Sequence, residues 1–262
     1  MFDNVAQLYD ESFTSSGIGK ALRRQVYVYL ETILPENKPL DILELNCGTG
    51  HDALYFAKRG HNVIATDISS DMIAVANDKA KREKPIASVR FVVSDMRDLS
   101  EISNGEKFDL IFSNFGGLNC LDSKDLKILS YKLSLLLKKG GRFIAVVMPK
   151  ICLWESAYFI VKFKMKNVLR RNTNDSVMVN VGNSKVETWY YSPGDFKRIF
   201  VNEFQVVNRK PVGIMLPPSY MEPYYQKKPY ALKRLEYAER LIGNIPALSY
   251  LADHFLIDFR KR

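Results

Sequence analysis

Five short runs that are apolar on both faces alternate with helix-patterned stretches through the first 148 residues. No other feature restricts the fold as strongly. The runs are "DILEL" (41–45), "NVIATD" (62–67), "VRFVVSD" (89–95), "FDLIFSN" (108–114) and "RFIAVVM" (142–148). Strands without a polar face belong in a parallel sheet covered by helices on both sides. The helical patterns at 51–59, 70–82 and 123–138 provide right-handed crossovers. After Met148 the rhythm breaks. "SVMVNVGNSKVETWYY" predicts a hairpin turning at Gly182-Asn183. Ser192, Pro193 and Asp195 then form a helix start. "FQVVNRK" (204–210) reads as a sixth strand and "HFLIDFRKR" as the last. The expected class is α/β: a doubly wound, mostly parallel seven-stranded sheet with helices on both faces, N-terminal helices and a lid or insertion region.

The chain's 262 residues, 47% hydrophobic and 26% charged, suit a globular protein with a large core. The N-terminus lacks a basic-then-apolar leader, and the apolar runs are far shorter than the roughly 20 residues that span a bilayer. A cytoplasmic location with no membrane partner is therefore expected. Cys47, Cys120 and Cys152 form no C-x-x-C pair, so neither a disulfide framework nor a metal site is expected. Much of the +9 net charge lies in "KFKMKNVLRRN" (162–172) and "YQKKPYALKRLEYAER" (225–240). Solvated helix faces explain both stretches as readily as phosphate contacts do, so nucleic acid is not the expected partner.

"LELNCGTGHDALYFA" (43–57) joins the first strand to a helix through a glycine turn. Gly48, Gly50 and Ala53 fit the dinucleotide spacing G-x-G-x-x-G/A. A pyrophosphate, however, would meet the Glu44 carboxylate near the strand end. S-adenosylmethionine carries no phosphate, and an acid there can help to hold its cationic methionine end. Asp67, ending the second strand, is placed to accept from both ribose hydroxyls. Asp95, ending the third, can accept from the adenine amine, with Met96 packing on the ring.

These residues resemble a known family. "ILELNCGTGHDALYFAKRGHNVIATDISSDMIAVA" is similar to the glycine-rich and acidic motifs of class I, Rossmann-like S-adenosylmethionine-dependent methyltransferases of the small-molecule type. "VVSDMRDL", "FDLIFSNFGGLNCL" and "LLKKGGRFIAVV" follow in the family's order. The resemblance implies that Gly48, Thr49 and Gly50 line the methionine end, with Glu44, Asn46 and Cys47 beside them. It implies Asp67 and Ile68 at the ribose and Asp95 and Met96 at the adenine. Met72 packs nearby; for both methionines simple core packing is the alternative. Ser113, Asn114 and Phe115 fall beside the reactive end. "FDNVAQLYDESF" resembles the family's N-terminal segment, in which an aromatic, here Tyr9, covers the cofactor. Two positions depart from the pattern. Asn46 stands at a customary glycine, and His51 where a small or polar residue is frequent.

The expected organisation is one methyltransferase domain over 1–262. A helical cap (1–34) precedes a cofactor-binding core (35–148). Substrate-covering insertions (149–192 and 211–252) alternate with the remaining core elements (193–210 and 253–262). The expected activity is methyl transfer to an oxygen or nitrogen of a small molecule, by a monomer or homodimer. RNA methylation and a cofactor-binding partner without activity are the alternatives. Loop 113–121 lacks the Pro-Pro pair of base-amine enzymes, and Cys120 follows Asn119 rather than the proline of carbon-methylating RNA enzymes. No catalytic residue is assigned. His51 is a candidate base or a solvent-facing helix start. His61 and His254 read as strand-start residues. Candidate substrate contacts are Asn119, Trp154, Arg170, Arg171, Tyr191 and Tyr220. A turn asparagine at 119 and a solvated helix end at 170–171 are the alternatives.

Overall fold

The computed structural model describes residues 10–99, 102, 105–181 and 184–262. Among the described residues nine strands form: β1 (Asp41–Leu45), β2 (Asn62–Asp67), β3 (Val89–Val93), β4 (Phe108–Ser113), β5 (Leu137–Val147), β6 (Val177–Val181), β7 (Ser184–Thr188), β8 (Phe204–Val212) and β9 (His254–Lys261). The helices are α1 (Gly17–Glu31), α2 (His51–Ala57), α3 (Ser70–Glu83), α4 (Ser123–Leu136), α5 (Leu153–Val161), α6 (Pro193–Phe200), α7 (Glu222–Tyr225) and α8 (Pro229–Ile242).

The seven-stranded sheet has the order β3-β2-β1-β4-β5-β9-β8. Its first five strands run parallel, and β9 lies antiparallel between β5 and β8. All seven expected sheet strands are present. β6 and β7 pair as the expected hairpin, whose turn at Gly182-Asn183 lies outside the described residues. Several boundaries differ from the sequence reading, among them the end of β3 and the start of β5. β3 ends at Val93 rather than Asp95, because Ser94 onward folds into a turn closed by Asp98 N–H on Asp95 O. β5 starts at Leu137, directly after α4, instead of at Arg142.

Side-chain alternation along the strands builds two cores, one on each face. Ile42, Phe112, Ile144 and Leu256 face α1 and α2, where Leu22, Val26 and Phe56 meet them. Their neighbours Leu43, Ile111, Phe143 and Ile257 face α4 and α6. There Phe143, Phe196, Phe200, Phe204 and Phe259 stack with centroids 4.8–6.2 Å apart. The expected cap of α6 forms, with Ser192 Oγ accepting from the Asp195 N–H at 3.1 Å.

The start of α1 draws on a distant partner. Ser16 Oγ accepts from Gly19 N–H at 2.9 Å, and the Glu222 carboxylate accepts from Gly17 and Ile18 N–H, both at 2.8 Å. A β-carbon on Gly19 would come within 1.9 Å of the Phe13 carbonyl oxygen. Only glycine allows the incoming chain to turn that tightly onto the helix.

Candidate functional site

The carboxyl ends of β1, β2 and β4 come together at one sheet edge, where Leu45 pairs with Ser113 and Glu44 with Ala65. A parallel sheet offers its ligand crevice at this edge, beside the point where strand order reverses. The turn from β1 into α2 winds through left-handed backbone at Asn46, Gly48 and Gly50 (φ 48°, 53° and 78°). A β-carbon on Gly50 would come within 2.7 Å of the Phe91 ring and 2.8 Å of Ala76. The turn is therefore drawn down onto β3 and α3. Asn46 is one of the few side chains that tolerate left-handed geometry, and here it has work of its own. Its Oδ1 accepts from Ser113 Oγ at 2.6 Å and its Nδ2 donates to the Asn114 carbonyl at 2.9 Å. It thus ties the ends of β1 and β4 together.

Asp67, at the end of β2, accepts from Gly48 N–H at 2.8 Å and from Ser69 N–H at 3.0 Å. It remains half-buried beside the exposed Ile68. Glu44 is buried beneath the turn. Burial, with the nearby Asp52 charge, pushes its carboxyl well above the usual range even though the Ala53 N–H donates to it. Its Oε2 has no hydrogen-bond partner. Asp52, also buried, goes the other way. Burial opposes its charge, but the Arg23 guanidinium at 2.5 Å and Tyr27 OH, also at 2.5 Å, hold its carboxyl below the ordinary value. The two carboxyls are thus drawn apart, Glu44 upward and Asp52 downward.

Arg23, Asn46, Thr49, Asp52, Asn114 and Phe115 line a small pocket of about 20 Å³ between the turn and α1. The segment Asp10–Thr14 closes it from outside. Thr49 Oγ1 donates to Asp10 Oδ1 at 2.5 Å, and Lys79 Nζ reaches Asp10 Oδ2 at 2.5 Å. S-adenosylmethionine fits this donor set. A guanidinium and carboxylates around the turn match the zwitterionic methionine end. The orphaned Glu44 Oε2 keeps acceptor capacity for a polar group of a ligand.

The other expected residues are distributed as follows. Asp95 is gripped by its neighbour Arg97: the guanidinium NH2 reaches Oδ2 at 2.7 Å and the Arg97 N–H reaches Oδ1 at 2.8 Å. Burial raises its pKa, but these contacts bring it below the ordinary value overall. Met96 packs against the core on the α4 side, and Met72 is buried. Cys47 is buried, which drives its thiol well upward and leaves it a poor nucleophile. Burial likewise pushes Cys120 to about 11. Tyr9 lies outside the described residues.

Among the expected substrate contacts, Asn119 is fully buried. Its Nδ2 donates to the carbonyls of Met148 (3.2 Å) and Trp189 (2.6 Å), and its Oδ1 accepts from Met148 N–H at 2.9 Å. Both amide hydrogens are thereby used, so Asn119 is a brace between loop, β5 and hairpin. Tyr191 OH donates to the Leu121 carbonyl at 2.5 Å. Arg170 and Arg171 turn inward onto Glu155, with Nε–Oε1 2.8 Å and NH2–Oε2 2.9 Å. Arg171 also reaches Asp253 at 3.1 Å. Trp154 is partly buried, and Tyr220 is half-exposed with its ring 5.6 Å from Tyr158.

His254 opens β9, and its neighbour Phe255 pairs with Val147 at the end of β5. An antiparallel strand therefore begins at the edge where the parallel strands finish. The imidazole is buried, edge-on to the Phe115 ring at 5.4 Å, and Nδ1 lies 3.2 Å from Asp253 Oδ2. This is ion-pairing distance without the alignment of a hydrogen bond. Burial alone would raise the Asp253 carboxyl, but His254 and Arg171 hold it far below the carboxylate range. Only the β9 topology brings the His254 side chain to the site. Its position at a strand start carries no such signal.

No group of histidines, cysteines and acids suited to a metal ion occurs among the described residues. Residues 42–141 match a family model described as a methyltransferase domain. The demethylmenaquinone methyltransferase of Bacteroides fragilis is 31% identical over 148 residues, which is 55% of this chain and 57% of that protein. The chain thus spans little more than half the length of this curated relative. An S-adenosylmethionine-dependent methyltransferase from Clostridium acetobutylicum superposes with a TM-score of 0.61 at 18% identity, covering 99% of this chain and 98% of that one. The magnesium protoporphyrin IX methyltransferase of Synechocystis with bound SAH gives 0.55 at 13% identity, over 94% and 83% of the chains. At such identities the structural likeness speaks for the fold, and the family match over β1 to β5 speaks for the domain. Residues 42–141 thus match a methyltransferase domain, on a fold shared with S-adenosylmethionine-dependent methyltransferases.

Proposed function

We propose that this chain methylates an oxygen or nitrogen of a small, partly apolar acceptor lying between the sheet edge and the insertions 149–192 and 211–252. The observation that carries the reading is His254, buried at that edge against Phe115 with the Asp253 carboxylate beside Nδ1. The bound cofactor supplies an electrophilic methyl group on its sulfonium. Arg23, Asn46 and Thr49 would hold its methionine end, and Asp67 its ribose. Phe115 and the insertion aromatics exclude water, which strengthens the electrostatics of the site. With Asp253 favouring a proton on Nδ1, Nε2 of His254 is free to take the proton that the acceptor must lose. A relative named for demethylmenaquinone supports a small-molecule acceptor.

The test is transfer of a labelled methyl group from S-adenosylmethionine into fractions of a native cell extract, followed by identification of the product. Label in a low-molecular-weight hydroxyl or amine compound is expected. His254→Gln is expected to slow transfer by about a hundredfold or more while S-adenosylhomocysteine binds as before. Label confined to RNA would refute the reading.

A further inference from the structure

The segment after β5 turns Glu155, Arg170 and Arg171 inward and several apolar side chains outward. Glu155 is buried and holds both Arg170 and Arg171, and Arg171 continues to Asp253 beside the site. The outer side of this anchored segment presents Val161, Phe163 and Met165, which are 74%, 91% and 65% exposed. Lys162, Lys164 and Lys166 alternate with them, and none is paired with a carboxylate among the described residues. Residues 157–173 contain no acid at all.

Phe163 is the telling residue. Its N–H donates to the Ile160 carbonyl at 2.9 Å, and the Lys164 N–H donates to the Phe159 carbonyl at 2.8 Å. This pattern closes α5 as a Schellman turn, whose left-handed position glycine normally fills. Phe163 takes that position at φ 54°, although a bulky residue is strained there. The fold gains nothing from the aromatic ring, which lies almost wholly in solvent.

We propose that this face docks on an anionic lipid bilayer. Phe163, Val161 and Met165 enter the headgroup–acyl boundary, and the three lysines meet lipid phosphates. No helix among the described residues is long and apolar enough to cross a membrane, but surface contact requires no span. Charge separates this occupant from the others. A two-fold contact with a second copy would bring the same lysines together. RNA would leave the aliphatic Val161 and Met165 without a base to stack on. The face lies on the outside of the element whose inner side reaches Asp253, so docking would bring the acceptor site close to the lipid.

The experiment is sedimentation of the full chain with vesicles of phosphatidylcholine, alone or mixed with phosphatidylglycerol. Binding to the anionic vesicles that weakens with added salt is expected, with little binding to phosphatidylcholine alone. Replacing Lys162, Lys164 and Lys166 by alanine is expected to weaken binding by about a hundredfold, roughly fivefold for each lysine. Phe163→Gly should also weaken binding while the melting temperature holds or rises, a pairing that a structural role for the ring would not produce. S-adenosylhomocysteine affinity should be unchanged in every variant, which keeps this result separate from the methyltransferase reading. Absence of sedimentation with anionic vesicles at low salt would overturn the proposal. So would binding insensitive to both replacements, tighter binding to RNA than to vesicles, or a dimer that Phe163→Gly dissolves.

Discussion

The side chain of Asn46 lies so close over Gly117 that a β-carbon there would come within 2.1 Å of the Asn46 Cγ. Asn46, which stands where the resemblance puts a glycine, is thus accommodated by a glycine across the crevice, after β4. Asn46→Gly removes two side-chain hydrogen bonds, worth roughly 1–3 kcal/mol together. It also relieves left-handed strain of about 1 kcal/mol. A net loss of about 1 kcal/mol is expected in chemical denaturation. Gly117→Ala should cost more, because Asn46 must leave its place, and should weaken S-adenosylhomocysteine binding in calorimetry. An unperturbed Gly117→Ala protein would mean that the two strand ends are not braced in this way.

Asp67 has one task in the structure and is proposed for a second. It holds the glycine turn through Gly48 N–H and stands at the strand end where a ribose is expected. Asp67→Ala should therefore raise the S-adenosylhomocysteine Kd by more than tenfold, since charge-assisted hydrogen bonds are worth roughly 1.5–3 kcal/mol. The melting temperature should fall only modestly. Affinity unchanged from wild type would remove Asp67 from the cofactor site.

The frame of this site could be read from residue patterns, whereas its closures could not. Apolar runs at 41–45, 62–67 and 108–114 fixed the strands, and Ser192-Pro193 fixed the start of α6, because local periodicity and capping decide such elements. Glu222 on the start of α1 and Asp10 on Thr49 are contacts across 205 and 39 positions. No local signal marks either. The same holds for Arg170 and Arg171. As sequence they are a basic pair suited to an anionic ligand. Only the fold brings Glu155 and Asp253 up to them.

Glu44 makes stability depend on pH with a definite sign. Burial and the Asp52 charge raise its folded-state pKa, so the folded protein binds this proton more tightly than the unfolded chain. The stabilisation is complete below the unfolded value of about 4.3 and is lost as pH rises through the folded one. Glu44→Gln keeps a neutral side chain at every pH. The variant should melt close to wild type at acid pH and increasingly above it as pH rises, other titrations being common to both. Melting curves that stay parallel from acid to alkaline pH would show that Glu44 ionises normally.

Arg171 separates a structural cation from a ligand-binding one. It is buried between Glu155 and Asp253, both of which it helps hold ionised against the opposing effect of burial. Arg171→Met leaves one of these carboxylates with Arg170 and the other with only the His254 imidazole beside it. Removing one partner from a buried ion pair costs about 3 kcal/mol or more, roughly 6–12 °C in melting temperature for a chain of this size. Burial of two carboxylates around an apolar side chain should also raise the Asp253 pKa, so the loss should shrink toward acid pH, where protonation removes the uncompensated charge. A variant that melts like wild type but has lost methyl transfer would instead make Arg171 a substrate contact.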